Sequence, residues 1–268
     1  MIGVFDSGLG GLTILKHFLN DLPQYDYIYL GDNARVPYGS KSPDLIYQYS
    51  VQAVDFLFSQ GCELIIFACN SASSQALRKI QTEDLPKKYP GKKILGVIRP
   101  LAEQAVQDNF SKIGVIGTAA TISSGVYKKE IKKLNSKIQV IEKATPLLVS
   151  LIEENWLGKP ETKMILKKYL RSLKMKQVKA LILACTHYPF LLKEIRRIMG
   201  KSCLVYDPGH VVSASLKDYL GRHLEIKLAT KKKSIIKFYT TDKASNFKVM
   251  GERFLGRKIS KVEHINLP

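Results

Sequence analysis

The chain has 268 residues, 45% hydrophobic and 24% charged, proportions of a folded globular protein that exclude collagen-like and disordered chains. At roughly 150 residues per domain, this length allows one large domain or two compact lobes. Forty-two Lys and Arg against 23 Asp and Glu leave a net charge of +19, which favours anionic partners without choosing among carboxylates, phosphates, nucleic acid and acidic lipid.

The N-terminus, MIGVFDSG, enters a strand at once, without the basic start, apolar stretch and small-residue cleavage site of a secretory leader. A cytoplasmic location is therefore expected. Short apolar runs predict strands at 2–5, 27–30, 64–68, 93–97, 113–117, 138–141, 180–184, 204–206 and 235–239. Segments of helical period lie between them, with helices predicted at 43–58, 74–80, 147–156, 161–173 and 190–199. This alternation is the pattern of βα units around largely parallel sheets, so the fold class is α/β. The longest apolar runs, such as 64–69 and 180–185, hold about six residues against the roughly 20 needed to cross a bilayer, and no membrane span is expected.

A weak internal repetition organises the chain. IGVFDSGLGG places a Gly-rich turn after the first strand, and IGVIGTAATISSG does the same from Ile113. ELIIFACNSAS ends a buried strand in Cys69, and ALILACTHYPF ends another in Cys185, at offsets of 110 to 116 residues. The pattern predicts two pseudosymmetric lobes, each a mostly parallel sheet flanked by helices, with the functional site in the cleft between them. One lobe is expected at 1–97, completed by the tail 208–268 with its strand and one or two helices, and the other at 98–207.

In α/β folds functional groups lie beyond the carboxyl ends of the strands, where Cys69 and Cys185 fall. A strand-end cysteine is most often a packing residue. Here Asn70 and Thr186 follow, and a helix starting there would stabilise thiolate and lower the thiol pKa below its usual value of about 8.5. Two such thiols facing each other across a cleft can take a proton from one side of a carbon and return one to the other, inverting a stereocentre. Contacts of about 3 to 3.5 Å on each side would hold the sulfurs roughly 6 to 7 Å apart, too far for a disulfide. The alternative for the pair is a redox or regulatory role, which the lack of a CxxC motif disfavours. Cys62 and Cys203 read as packing residues, and the four cysteines show no metal-ligand spacing.

Asp6 and Ser7 follow the first strand, where Asp6 can accept from an ammonium group or orient a base. His187, two residues beyond Cys185, can relay a proton or stabilise thiolate as a cation. His17, His210, His223 and His264 read as surface residues. The GDNARVPYGSKSP loop offers the Tyr38-Gly39 backbone to a carboxylate. GLGG fails the dinucleotide fingerprint because Thr13 stands where a glycine is required, and no GK[ST] follows. Residues 159–179 carry eight basic residues and one acid, but Ile165, Leu166, Tyr169, Leu170 and Leu173 recur at helical spacing, so the segment reads as a solvated helix face. With no nucleic-acid module in view, nucleic-acid binding enters only as a secondary role of the basic surface.

GVFDSGLGGLTIL, GDNARVPYG, ACNSAS, GTAATI and LACTHYPFL together resemble the glutamate racemases of the aspartate/glutamate racemase superfamily over nearly the whole chain. The resemblance implies cofactor-free interconversion of L- and D-glutamate, the D-isomer serving peptidoglycan synthesis. It implies Cys69 and Cys185 as the acid/base pair, assisted by Asp6 and His187, with no metal. Ser7, Tyr38, Gly39, Asn70, Ser71, Thr118, Thr121 and Thr186 match substrate-binding positions, and a homodimer is implied. Two positions depart from the pattern. Ser71 stands for the usual Thr and keeps its hydroxyl, and Arg99 replaces a common acidic residue at the expected connection between lobes, where it would affect the hinge or the dimer.

Overall fold

A computed structural model describes residues 1–231 and 234–268. Among the described residues ten strands form two sheets: β1 (Ile2–Asp6), β2 (Tyr27–Gly31), β3 (Leu64–Phe67), β4 (Lys93–Gly96), β5 (Lys112–Gly117), β6 (Gln139–Ala144), β7 (Ala180–Ala184), β8 (Leu204–Val205), β9 (Ile236–Thr240) and β10 (Glu263–His264). The first sheet runs β10-β9-β2-β1-β3-β4 and the second β6-β5-β7-β8, with every neighbouring pair parallel. β1, β2, β3 and β7 are buried throughout, because helices cover both faces of a parallel sheet.

The repetition in sequence is a repetition in topology. β2-β1-β3-β4 and β6-β5-β7-β8 have the same order, and in each the direction of winding reverses between the first strand and the third. At such a reversal the loops diverge and leave a crevice beyond the strand ends. Register brings Phe5 level with Phe67 and Gly117 level with Ala184, so Asp6 neighbours the start of the Cys69 turn and Thr118 neighbours Cys185.

The strands agree with expectation to within one or two residues at most ends; β6 extends three residues further, to Ala144, and β10 was not foreseen. The helices Leu12–Asp21, Ile98–Gln107 and Val126–Leu134 were also not foreseen, while the one or two helices expected in the tail are Pro208–Arg222 and Ala244–Leu255. The helix expected at 74–80 begins instead at Asn70. One apolar core runs through both halves, joining Ile2, Leu12 and Leu64 to Leu181, Leu183 and Val212. Separate cores fill the outer faces, around Phe5 and Phe67 in the first sheet and around Val115 and Tyr127 in the second. Among the described residues no helix is long and apolar enough to cross a membrane.

Candidate active site

The two crevices face each other and enclose one cavity of about 220 Å³. Its walls include Ser7, Tyr38, Gly39, Cys69, Asn70, Ser71, Thr118, Cys185, Thr186 and His187. Thus both sulfur-bearing strand ends, one from each sheet, meet at a single chamber. Asp6 and Thr121, expected beside them, are fully buried and lie behind the walls. Val36, Pro146 and Val149 supply an apolar part of the lining.

Cys69 caps the short helix Asn70–Gln75, its Sγ accepting from the Ala72 N–H at 3.5 Å. The thiol also lies 3.4 Å from Ser7 Oγ. This is the helix-terminus position anticipated from the sequence, yet the net shift of the thiol is opposite to the expected one. Burial, reinforced by the nearby Asp6 carboxylate, pushes the Cys69 pKa up to about 12 against the helping bonds from Ser7 and Ala72. Desolvation of a charged sulfur outweighs the weak donors around it, the Ser7 hydroxyl and the Ser7 and Ala72 N–H groups. At pH 7 Cys69 is therefore a neutral thiol.

The opposite wall is built differently. His187 Nδ1 lies 3.9 Å from Cys185 Sγ, and Nε2 lies 3.0 Å from Glu153 Oε1. Burial alone would push the imidazole down, but hydrogen bonds to Cys185 and Glu153 and their negative charges prevail and raise it to about 10. At neutral pH His187 is an imidazolium held between a sulfur and a carboxylate. Glu153 was not foreseen. It lies on the helix Leu148–Glu153 and reaches His187 only through the fold, although a carboxylate on a helix facing the cleft carries a recognisable chemistry. Phe254 of the helix Ala244–Leu255 packs edge-on against the His187 ring at 5.4 Å, and Arg253 donates to the Ile152 carbonyl at 2.6 Å, next to Glu153.

Further side-chain hydrogen bonds fasten the two halves around the chamber. Thr186 donates to Asp6 Oδ2 at 3.3 Å, and Thr13 donates to the Thr186 carbonyl at 2.9 Å. Ser71 and Thr118 hydroxyls meet at 2.9 Å, Gln75 donates to the Ala120 carbonyl at 2.6 Å, and Tyr127 donates to Asn70 Oδ1 at 2.7 Å. Asp6 also accepts from the Gly8 N–H at 2.9 Å, and burial raises its carboxyl pKa against the pull of His187, Gly8, Gly11 and Thr186. Gly39 is required by proximity, since a Cβ there would sit 2.7 Å from Thr118 Cβ. Thr121 Oγ1 accepts from Thr118, whose own oxygen caps the helix Ala119–Ser123, so Thr121 steadies a wall and does not form one.

Among the described residues, Glu153 is the carboxylate and His187 the basic side chain of the lining. Hydroxyls and amides make up its remaining polar surface, a donor-rich environment suited to a small polar molecule bearing carboxylates. Arg99, expected to bear on the connection between lobes, pairs with Glu103 at 2.5 Å and Glu130 at 3.3 Å, both on helices beside the second sheet. Cys62 and Cys203 are buried away from the chamber. Among the described residues no group of three or more His, Cys, Asp or Glu is arranged to hold a metal ion.

Comparison with known proteins agrees with this architecture. The family model for Asp/Glu/hydantoin racemases matches residues 13–215. The chain belongs to this racemase family. A curated glutamate racemase from Geobacter metallireducens is 38% identical over 268 residues, covering 99% of this chain and 96% of its own length. The crystal structure of a glutamate racemase isoform from Bacillus anthracis matches with a TM-score of 0.93 at 32% identity, covering 100% of this chain and 98% of its own. A second family structure, the Francisella tularensis glutamate racemase in complex with D-glutamate, matches with a TM-score of 0.89 at 37% identity, covering 99% and 97%.

Proposed function

We propose that this chain is a glutamate racemase in which Cys69 and Cys185 act as the two acid/base groups on opposite faces of the substrate's α-carbon. The observation that carries this reading is the convergence of two strand-end cysteines, one from each sheet, on a chamber of amino-acid size. Cys185, beside the His187 imidazolium, takes the α-proton from one face as a thiolate. Neutral Cys69 gives its proton to the other face. The products are the inverted amino acid, a thiol at Cys185 and a thiolate at Cys69, and the reverse reaction begins from that state. Proton count and charge balance without a further group.

The hydroxyls and amides of Ser7, Asn70, Ser71, Thr118 and Thr186 and the Tyr38-Gly39 backbone bind the carboxylates and ammonium, and Asp6 positions Thr186 from behind. Closure excludes water and holds donors at the carboxylate, which lowers the cost of the carbanion-like transition state. In this reading residues 1–97 with 208–268 form one lobe and 98–207 the other, and the D-glutamate made in the cytoplasm supplies peptidoglycan.

Incubation of either glutamate enantiomer in D₂O tests the proposal. The expected result is inversion with deuterium at the α-carbon, and loss of inversion in both Cys69→Ser and Cys185→Ser. Inversion that survives replacement of either cysteine would overturn the two-thiol mechanism, and inversion of aspartate but not glutamate would overturn the substrate.

A further inference from the structure

Outside the active site, a groove on the second half of the molecule gathers unneutralised charge. It runs between the helices Pro160–Met175 and Leu192–Met199, and is lined by Lys167, Lys168, Arg171, Lys174 and Arg197 with Ile198. It shares no residue with the chamber. Among the described residues none of these five cations forms an ion pair, whereas Lys92, Lys133 and Lys258 elsewhere all do. The two helices are tied at one end by Lys174, which donates to the Ile198 carbonyl at 2.9 Å.

We propose that this groove binds the phosphate backbone of nucleic acid, independently of sequence and of racemisation. Lys167 to Lys174 span about 10 Å of helix, at 1.5 Å per residue. Five cations gathered around that length call for a partner of high linear charge density, and a DNA duplex presents about six phosphates over the same distance. A dicarboxylate or single nucleotide carries too few charges to engage them all. A concave groove also fits a rod-like polyanion better than a flat bilayer. The apolar face of the longer helix is turned inward, with Leu166, Leu170 and Leu173 fully buried in the core, and Met164 and Met175 are the large apolar side chains it exposes. Among the described residues no aromatic ring lines the groove, which favours contact with the backbone over base stacking.

The test is binding of the full chain to a short random-sequence DNA duplex, followed by fluorescence anisotropy across a salt series. Five neutralised phosphates predict affinity about 500-fold weaker at about 200 mM salt than at about 50 mM. The variant Lys167→Glu/Lys168→Glu/Arg171→Glu should reduce the slope of log affinity against log salt from about 4.5 to about 2. A control of equal net charge, Lys87→Glu/Lys129→Glu/Lys137→Glu, alters exposed positions away from the groove and should keep the steeper slope. Both should racemise glutamate as the parent does, which also shows that they fold. Absence of duplex binding at low salt would overturn the proposal. So would equal loss in groove and control variants, which would assign binding to net charge alone, or capture by anionic phosphatidylglycerol vesicles without capture by DNA.

Discussion

Replacing Glu153 by Gln removes the charge that faces His187 while keeping the size and shape of the side chain. The bond it breaks is 3.0 Å long and ties a nearly buried imidazolium, with 8% of its side chain exposed, to a carboxylate with 32% exposed. A charge-assisted hydrogen bond of this kind contributes about 1.5–3 kcal/mol, with the exposed carboxylate favouring the lower end. That corresponds to a fall of about one to two units in the His187 pKa, from about 10 in the parent. Because the folded-state pKa lies above the usual 6.5, His187 contributes stability that is fully present below pH 6.5 and is lost as pH rises towards 10. Glu153→Gln should therefore be less stable by about 1.5–3 kcal/mol at pH 7 and converge on the parent above pH 10. The alkaline limb of its racemisation profile should move to lower pH by the same one to two units, about. Urea denaturation at several pH values, with pH–rate profiles for both proteins, measures each quantity. Equal stability at neutral pH together with superimposable profiles would refute the assignment of the imidazolium to this pair.

Three further outcomes follow from the geometry. Gly10→Ala would place a Cβ 2.2 Å from Thr186 Oγ1 and 2.6 Å from His187 Nδ1, and displacing that wall should lower kcat about 100-fold in steady-state assays. Tyr127→Phe leaves Asn70 Oδ1 without its buried donor and should cost about 1–3 kcal/mol of stability, read by chemical denaturation. With its pKa pushed up to about 12, Cys69 should be alkylated by iodoacetamide at a rate that climbs about tenfold per pH unit from neutral pH to pH 10, as peptide mapping would show.

The strands were legible because burial on both faces demands continuous apolar runs, which stand out in a basic sequence. Both cysteines could be placed at strand ends for the same reason. The helix after Cys69 was misplaced by four residues because its cap is a sulfur, outside the Ser, Thr, Asp and Asn set by which helix starts are read. Leu12–Asp21 was missed where no side chain caps its start, whereas Pro208–Arg222, one of the helices expected in the tail without bounds, is delimited by an Asp207 cap and an opening Pro. The electrostatics were harder to read. Helix-terminus reasoning gave the wrong direction for Cys69 because sequence does not show the depth of burial or the approach of Asp6. Glu153 stood within a correctly anticipated helix, but its partner is 34 residues away and meets it only across packed elements.

The last strands to be encoded complete the first sheet, where β9 lies against β2 and β10 against β9. The second sheet draws all its strands from the contiguous stretch 112–205. On the ribosome, the later half of the protein can thus assemble while the amino-terminal half still presents the open edge of β2. A chain released early, before Ile236, would keep that edge unpaired and would lack Arg253 and Phe254 beside the histidine wall. Such a fragment would be prone to pair with other copies through the bare strand, so premature termination invites aggregation as well as stripping the histidine wall of its support.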